Sequence, residues 1–389
     1  MGGIKVDKLG VPIAALALFA AFAAPFVTFR ANRIAGGEGH RLLDALPPAA
    51  AALLLAVVVV ASLLSLPKLR PGIRLAASAA PLLTLAWTIG AAATYLTPEG
   101  DTFARIAPAS GFWLMTFAFA LLSTDALTRL RFGPLVRVAA LLLVTLVIGL
   151  LLASGRLDGL SIMKEYANRA DVFWSEAQRH VVLAVGSLVA AVFAGLPLGV
   201  LCHRVAAVRA PVLGVLNIIQ TIPSIALFGI LVAPLAWLAA NVPAAAAIGV
   251  RGIGAAPAFL ALFLYSLLPV VANTVVGLAG VPRDANDAAK GVGMTDRQRL
   301  LGVEFPLALP VILTGVRIVL VQNIGLATIA ALIGGGGFGV FVFQGIGQTA
   351  MDLVLLGAVP TVALAFAAAV LLDAAVEVCN AAPGRVRPA

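Results

Sequence analysis

Residues 287–306 read DAAKGVGMTDRQRLLGVEFP, a polar run set between two long apolar stretches. Asp287, Lys290, Asp296, Arg297, Arg299 and Glu304 carry charge within it, Gly293 sits at its pivot and Pro306 at its end. The hydrocarbon layer of a membrane tolerates no such density of charge, so the run must lie at a membrane face. Asp284 and Asp287 suit the first turn of a helix, where the dipole favours acids, and Ala288, Ala289 and Lys290 are helix formers. Gly291 and Gly293 allow a turn, and Thr295 with Gln298 three residues later is a capping-box pattern that starts a second helix. Pro306 is expected to bar its continuation into the next span. Residues 284–306 therefore predict helix, turn, helix, lying along the membrane and shaped for docking.

The surrounding chain is membrane. Of 389 residues, 62% are apolar and 11% charged, where a soluble domain carries roughly 25% charged. A span needs about 20 apolar residues to cross roughly 30 Å of hydrocarbon. Ten are expected, at about 11–29, 49–66, 75–96, 111–127, 135–153, 181–201, 212–239, 256–281, 307–333 and 353–376. The fold class is an all-α integral membrane protein. With the N-terminus inside, the inner segments hold Lys5, Lys8, Lys68, Arg70, Arg74, Arg129, Arg131 and Arg137. Further along they hold Arg204, Arg209, Arg283, Lys290, Arg297, Arg299, Arg385 and Arg387. That bias exceeds the basic residues of the outer loops and puts both termini in the cytoplasm. The net charge of +9 is then a topology signal and an attraction for anionic lipid. It is not the clustered basic face of a nucleic-acid binder. Residues 1–29 read as an uncleaved first helix rather than a signal peptide, because the apolar stretch is long and further spans follow at once. Cys202 and Cys379 fall at cytoplasmic ends, where thiols stay reduced.

Catalytic chemistry is not expected. None of Lys5, Lys8, Lys68, Lys164 and Lys290 is followed by Ser or Thr, so there is no nucleotide-binding P-loop. His40, His180 and His203 sit in different loops and make no metal pair. Gly334, Gly336 and Gly339 form a GxGxxG with no strand before it, and they read as a flexible outer turn rather than a dinucleotide site. Energy must come from a partner or an ion gradient.

Three segments are expected: an N-terminal five-helix extension at 1–155, an interfacial amphipathic helix at 156–179, and a five-span unit at 180–380. The interfacial reading rests on Leu160, Met163, Tyr166, Ala170, Phe173 and Trp174, which recur every three or four residues between charges. The alternative is a simple lead-in to the sixth span. Within the seventh span Asn217, Gln220, Thr221 and Ser224 share one helical face, and Pro223 should kink that turn. Ser266 and Asn273 form a shorter stripe in the eighth, with Pro269 between them. Such stripes either join helices or line a path, and two beside proline kinks favour the path. Arg317 lies about ten residues into the ninth span, roughly 15 Å deep at 1.5 Å per residue. An arginine there costs about 2.5–3.5 kcal/mol on insertion scales, so it must face the bundle near Gln322, Asn323 or the spare carbonyls of a kinked neighbour. It either touches a passing solute or locks subunits together, the second reading being preferred. None of the acids is placed at mid-span, which counts against an ion-driven secondary transporter.

Asp287-Ala288-Ala289, Gly293, Val303 and Pro306 fall at the spacing of the EAA motif of ABC importer permeases, which the chain resembles. Asp replaces Glu at 287, Val replaces Ile at 303 and Phe replaces Leu at 305, each keeping chemical type. NIIQTIPSIALFGIL (217–231), LFLYSLLPVVANT (262–274) and IGLATIAALIGGGGFG (324–339) are similar to permeases of osmoprotectant importers for glycine betaine, choline and related compounds. The resemblance covers about 175–378 and implies a type I core formed by the last five spans. It also implies two cytoplasmic ATPases that bind ATP and Mg, a second permease chain and an extracytoplasmic binding protein, in a bacterial inner membrane. No cofactor is implied for this chain itself. Asp287, Ala288, Ala289, Gly293, Val303 and Pro306 would couple it to the ATPase. Segments 156–179, 241–254 and 334–351 would form the docking surface for the binding protein. Other small polar solutes such as an amino acid, and an ion-driven transporter, are the alternative readings.

Overall fold

The computed structural model describes residues 6–33 and 35–380; Lys5, Arg385 and Arg387 of the charge count lie outside them. Two compact units divide at Asn168 and Arg169. Nine helices among the described residues are long and apolar enough to cross a membrane, and Gly10–Phe22 and Ala206–Thr221 are shorter apolar helices.

In the first unit, α1 (Gly10–Phe22) is shorter than the expected span 11–29. Pro25 turns the chain out of helix, and the β-branched Val27 and Thr28 enter a strand instead. That strand, β1 (Val27–Arg30), is the centre of a three-stranded antiparallel sheet with β2 (Glu38–His40) and β3 (Arg105–Pro108). Val27 lies opposite both His40 and Pro108, which fixes the register. After a single turn, α2 (Leu42–Ala45), come α3 (Pro48–Ser65), α4 (Pro71–Leu96), α5 (Ser110–Leu130) and α6 (Pro134–Ala153). Pro at the first turn of α3, α4 and α6 starts each one with φ already set. Phe26, Leu54, Leu85, Met115, Phe119 and Leu122 make the core. Arg74, only 1% exposed, is held by Asp7 at 2.7 Å and Asp125 at 3.1 Å, which is how α5 keeps an acid near its end. In contrast, no residue of α6 is buried. The short α7 (Ser161–Ala167) closes the unit.

The second unit opens with α8 (Ala170–Arg204), a single helix of 35 residues. The segment 156–179, expected as one interfacial helix, therefore breaks at Asn168–Arg169, and its second half is the lead-in to a span. The reason is packing: Phe173 stacks on Phe338 and Phe341, with ring centroids 5.4 and 6.0 Å away. The expected seventh span is also two helices, α9 (Ala206–Thr221) and α10 (Ser224–Asn241), broken rather than kinked. Ile222 and Pro223 are extended between them, as a residue before proline prefers. A short α11 (Pro243–Ala247) leads to α12 (Ala255–Ala279). Next come α13 (Arg283–Gly291), α14 (Asp296–Arg299), a π turn (Leu300–Glu304) and α15 (Phe305–Ile329). A 3₁₀ turn (Ala330–Ile333), α16 (Gly339–Gly347) and α17 (Met351–Asn380) complete the chain.

Two tethers define the ends of this unit. Arg204, at the close of α8, pairs with Glu304 at the start of α15, 2.6 Å apart. At the other end the Gly254 N–H donates to Ile333 O at 2.8 Å. The chain between Arg204 and Gly254 thus passes once from end to end, so α9 and α10 share one crossing. Five crossings result: α8, α9 with α10, α12, α15 and α17.

Candidate functional site

The knuckle forms at residues 283–304 as two helices about a glycine turn. Gly293 has φ +81°, a left-handed conformation that costs an L-residue, which explains glycine there. Thr295 Oγ1 accepts from the Gln298 N–H at 3.4 Å, while Gln298 Oε1 accepts from the Thr295 N–H at 2.9 Å. The capping box is complete. The expected stop at Pro306 does not occur: α14, the π turn and α15 run on as one helical segment, Asp296–Ile333. Proline removes only one donor in a first turn, and the wider π turn eases its ring past the preceding carbonyl.

Glu304, 2% exposed, is the anchor of this element. Its carboxylate accepts from Arg204 at 2.6 Å and from Arg299 at 3.0 Å, and Arg299 also pairs with Asp296 at 2.8 Å. The knuckle is thereby tied to α8 as well as to α15. Of the motif residues, Ala289 is buried (5%) and Val303 partly so, whereas Asp287, Ala288, Gly293 and Pro306 face outward. Val292 (77%), Met294 (38%) and Leu301 (60%) are exposed beside them. A rigid polar element carrying exposed apolar side chains is suited to contact with another protein.

The polar stripes are largely explained by backbone repair. Pro269 has no N–H, so the Tyr265 carbonyl lacks its helical donor. Gln220 supplies one, its Nε2 donating to Tyr265 O at 2.8 Å. In return the Tyr265 hydroxyl donates to Ile222 O, in the break between α9 and α10. Asn273 Nδ2 donates to Pro269 O at 2.8 Å, and the Thr221 hydroxyl to Ile218 O at 2.7 Å. Asn217 and Ser224 lie on either side of the break, in different helices, with Asn217 exposed. Ser266 departs from the expected path. It is fully buried and donates to Leu262 O at 2.6 Å. Asn323 Nδ2 bridges Ser266 Oγ and Ser187 Oγ, each at 2.9 Å, and so joins α8, α12 and α15. Tyr265 and Asn323 were absent from the candidate residues, although the four-residue spacing of Tyr265 from Pro269 was there to be read.

Arg317 finds neither Gln322 nor Asn323 but Asp373 of α17, with which it forms an ion pair. Asp373 lies within α17 (Met351–Asn380), seven residues before its described end. The two side chains are 34% and 43% exposed, and with Gln322 they line a pocket of about 460 Å³.

The glycine-rich turn at the opposite end is ordered rather than flexible. Glu176 accepts from the Gly337 N–H at 2.5 Å and His180 Nδ1 from the Phe338 N–H at 3.3 Å. Gly337 itself has φ +88°. Beside this turn Arg179 and Arg251 line a pocket of about 590 Å³ with Gly254 and Gly334.

The described geometry agrees with comparison to known proteins. Residues 7–163 match the model for the N-terminal domain of ABC transporter permease YehY. The chain is 46% identical to the osmoprotectant import permease protein OsmW of Salmonella typhimurium, over 46% of this chain and 76% of that protein. It is 37% identical to the choline transport system permease protein OpuBB of Bacillus subtilis, over 48% of this chain and 78% of that one. Among solved structures, a chain of the MetNI methionine ABC transporter, in an inward-facing conformation, overlays 55% of this chain and 98% of its own length. Its identity is 22% and its TM-score 0.47. Residues 167–381 match the model for the binding-protein-dependent transport system inner membrane component; with the knuckle set between its third and fourth crossings, the chain belongs to that family of ABC permeases.

Proposed function

We propose that this chain is the permease subunit of an ATP-driven importer for glycine betaine, choline or a related quaternary-amine osmoprotectant. The observation that carries the proposal is the knuckle: a capped, glycine-hinged element anchored through Glu304 to two spans, with Val292, Met294 and Leu301 exposed on it. Membership of the family implies an ATPase and a substrate-binding protein as partners in general. In detail, two ATPases on the cytoplasmic side bind ATP and Mg and receive the knuckles of two permease chains, this one and a second copy or a homologue. Closure of the ATPases moves Asp287, Ala288, Ala289, Gly293, Val303 and Pro306 and, through Glu304, the ends of α8 and α15. Alternating access follows at the break between α9 and α10, where Asn217, Gln220, Thr221 and Ser224 meet the kink that holds Asn273. The binding protein docks at the opposite end, over the ordered turn that Glu176 holds. Names of relatives support the cargo class. The chain resides in the bacterial cytoplasmic membrane with both ends inside. Selectivity is set mainly in the binding protein, where an aromatic cage holds a quaternary amine by cation–π attraction.

Co-expression with a candidate ATPase and binding protein tests this reading. The expected result is co-purification of the ATPase, lost on deletion of residues 284–305, and ATP-dependent uptake of labelled glycine betaine into liposomes. Uptake driven by an ion gradient without the ATPase would overturn it.

A further inference from the structure

The sheet of the first unit presents Thr28, Arg30, Arg105 and Ala107 on the face opposite to that of the buried Val27 and Ile106. Arg30 stands directly across from Arg105 in the β1–β3 register. Side chains so placed have Cβ atoms about 4.5–5.5 Å apart, where like charges destabilise the pairing. Arg30 lies across Gly37, where an added Cβ would stand 3.1 Å from its Nε. Arg105 has its own Nε buried without an acceptor. Beside it the Lys164 ammonium donates to Ala104 O at 2.9 Å. Burial first, and then the Arg105 charge, holds the Lys164 pKa below its usual value against an opposing pull from Asp101. Among the described residues neither Arg30 nor Arg105 has a carboxylate partner. The acids close by are engaged elsewhere. Glu165 pairs with Arg33 at 3.6 Å, and Asp101 Oδ1 accepts from the N–H groups of Phe103 and Ala104 at 2.8 and 3.1 Å.

We propose that this face binds the phosphate of an anionic membrane phospholipid, with Arg30 and Arg105 as its grip and Phe103 as its apolar wall. Phe103 is 74% exposed on the turn that Asp101 closes, and with Asn32, Arg33 and Arg105 it lines a pocket of about 510 Å³. The sheet packs on α4 and α5, whose adjoining ends carry the exposed rings of Tyr95 and Trp113. Rings of that kind settle at the headgroup level of a bilayer, so lipid phosphates stand within reach of the face. Guanidinium forks match phosphate geometry and hold two of its oxygens at once. A phosphate set between the two arginines turns their repulsion into two attractions. An ammonium on the headgroup would return a cation to the cluster, so an anionic lipid is favoured over a zwitterionic one. The ring of Phe103 suits the glycerol and first methylenes of a lipid, which a free phosphate ion lacks.

Thermal unfolding of the full chain in neutral detergent micelles tests the site. Dioctanoyl phosphatidylglycerol should raise the melting temperature by several degrees, and dioctanoylglycerol or inorganic phosphate by far less. In Arg105→Gln, and in Arg30→Gln, the lipid concentration giving half the shift should rise about tenfold or more, the worth of one hydrogen bond between charged groups. Phe103→Ala should weaken the response to the lipid and leave that to inorganic phosphate unchanged. A wild-type response in both arginine variants overturns the proposal. So does an equal shift from inorganic phosphate, which would make this a site for the free ion. No response to the lipid, the outcome expected if an acidic protein segment covers the face, overturns it as well. Should the arginine variants fail to accumulate, a bimane label on the Phe103→Cys variant, in a chain carrying Cys202→Ser and Cys379→Ser, gives a second reading. In phosphatidylcholine nanodiscs, brominated phosphatidylglycerol should quench the label several-fold more than the same amount of brominated phosphatidylcholine. Equal quenching by the two overturns the proposal.

Discussion

Replacing Gly293 isolates one variable, because a Cβ built there meets nothing within 4 Å. Any effect must come from the backbone, held at φ +81°, or from a partner pressed against the knuckle. An L-residue in the left-handed region costs roughly 1–2 kcal/mol. Asn is the side chain that tolerates the region best, and a β-branched residue the one that tolerates it least. Gly293→Asn should therefore cost well under 1 kcal/mol, Gly293→Ala about 1 kcal/mol and Gly293→Val about 2 kcal/mol or more. Since 1.4 kcal/mol is a factor of ten, the turned conformation in the Val variant falls by about tenfold or more relative to its competitors. Transport per ATP hydrolysed should decline in the order Gly, Asn, Ala, Val, while insertion and ATPase activity persist. The assay is paired measurement of solute uptake and phosphate release in proteoliposomes. Equal coupling in all four chains would refute the role of the turn. Equal loss in Asn and Val would show that bulk against the ATPase matters and the dihedral does not.

Three other substitutions probe separate parts of the chain. Glu304→Gln leaves Arg204 and Arg299 sharing a neutral amide, and it should uncouple transport while the ATPase still co-purifies; uptake unchanged per ATP would exclude the anchor role. Tyr265→Phe strands the Ile222 carbonyl in the helix break, at a cost of about 1–3 kcal/mol, read as a lower melting temperature in detergent. An unchanged melting temperature would remove that bond from the account. Asp7 is the third. Burial pushes its carboxyl pKa up, but the N–H groups of Leu9 and Gly10 and the guanidinium of Arg74 outweigh this and hold it below the usual value. Its stabilising contribution is present above the ordinary carboxylate range and is lost as pH falls below that range through the lowered native value. Asp7→Asn should flatten that acid limb of a thermal-shift profile, and an identical limb in the variant would refute the assignment.

The knuckle was legible because its signals are local: a cap, a pivot glycine and charges too dense for lipid. Apolar length found most of the spans, but it took α1 (Gly10–Phe22) for a full span and α9 with α10 for one kinked helix. Elsewhere the sequence misled wherever a distant partner decided the outcome. Pro25 and the strands β2 and β3 shortened the first span, and only pairing across residues 27–108 makes that strand. Ser266 looked like a path residue until Asn323, 57 positions away, claimed its hydroxyl. The partner of Arg317 was missed because Asp373 stands 56 residues downstream. The glycine-rich turn looked loose because the acid that orders it, Glu176, stands 161 residues earlier. Polar residues in a bilayer announce that they need a partner, and the identity of that partner is tertiary information.

The π turn at Leu300–Glu304 sets an angle. An α-helix advances about 100° per residue, so one surplus residue in a continuous helix turns everything before it by more than a quarter of a revolution. The face that α14 offers to a neighbour is thus phased against α15 by a single residue of chain length. Removing Gly302, at which an added Cβ would meet nothing within 4 Å, would turn the exposed face of α14 by about 100° against α15 and shift Arg299 relative to Glu304. Direction, as much as force, is encoded there.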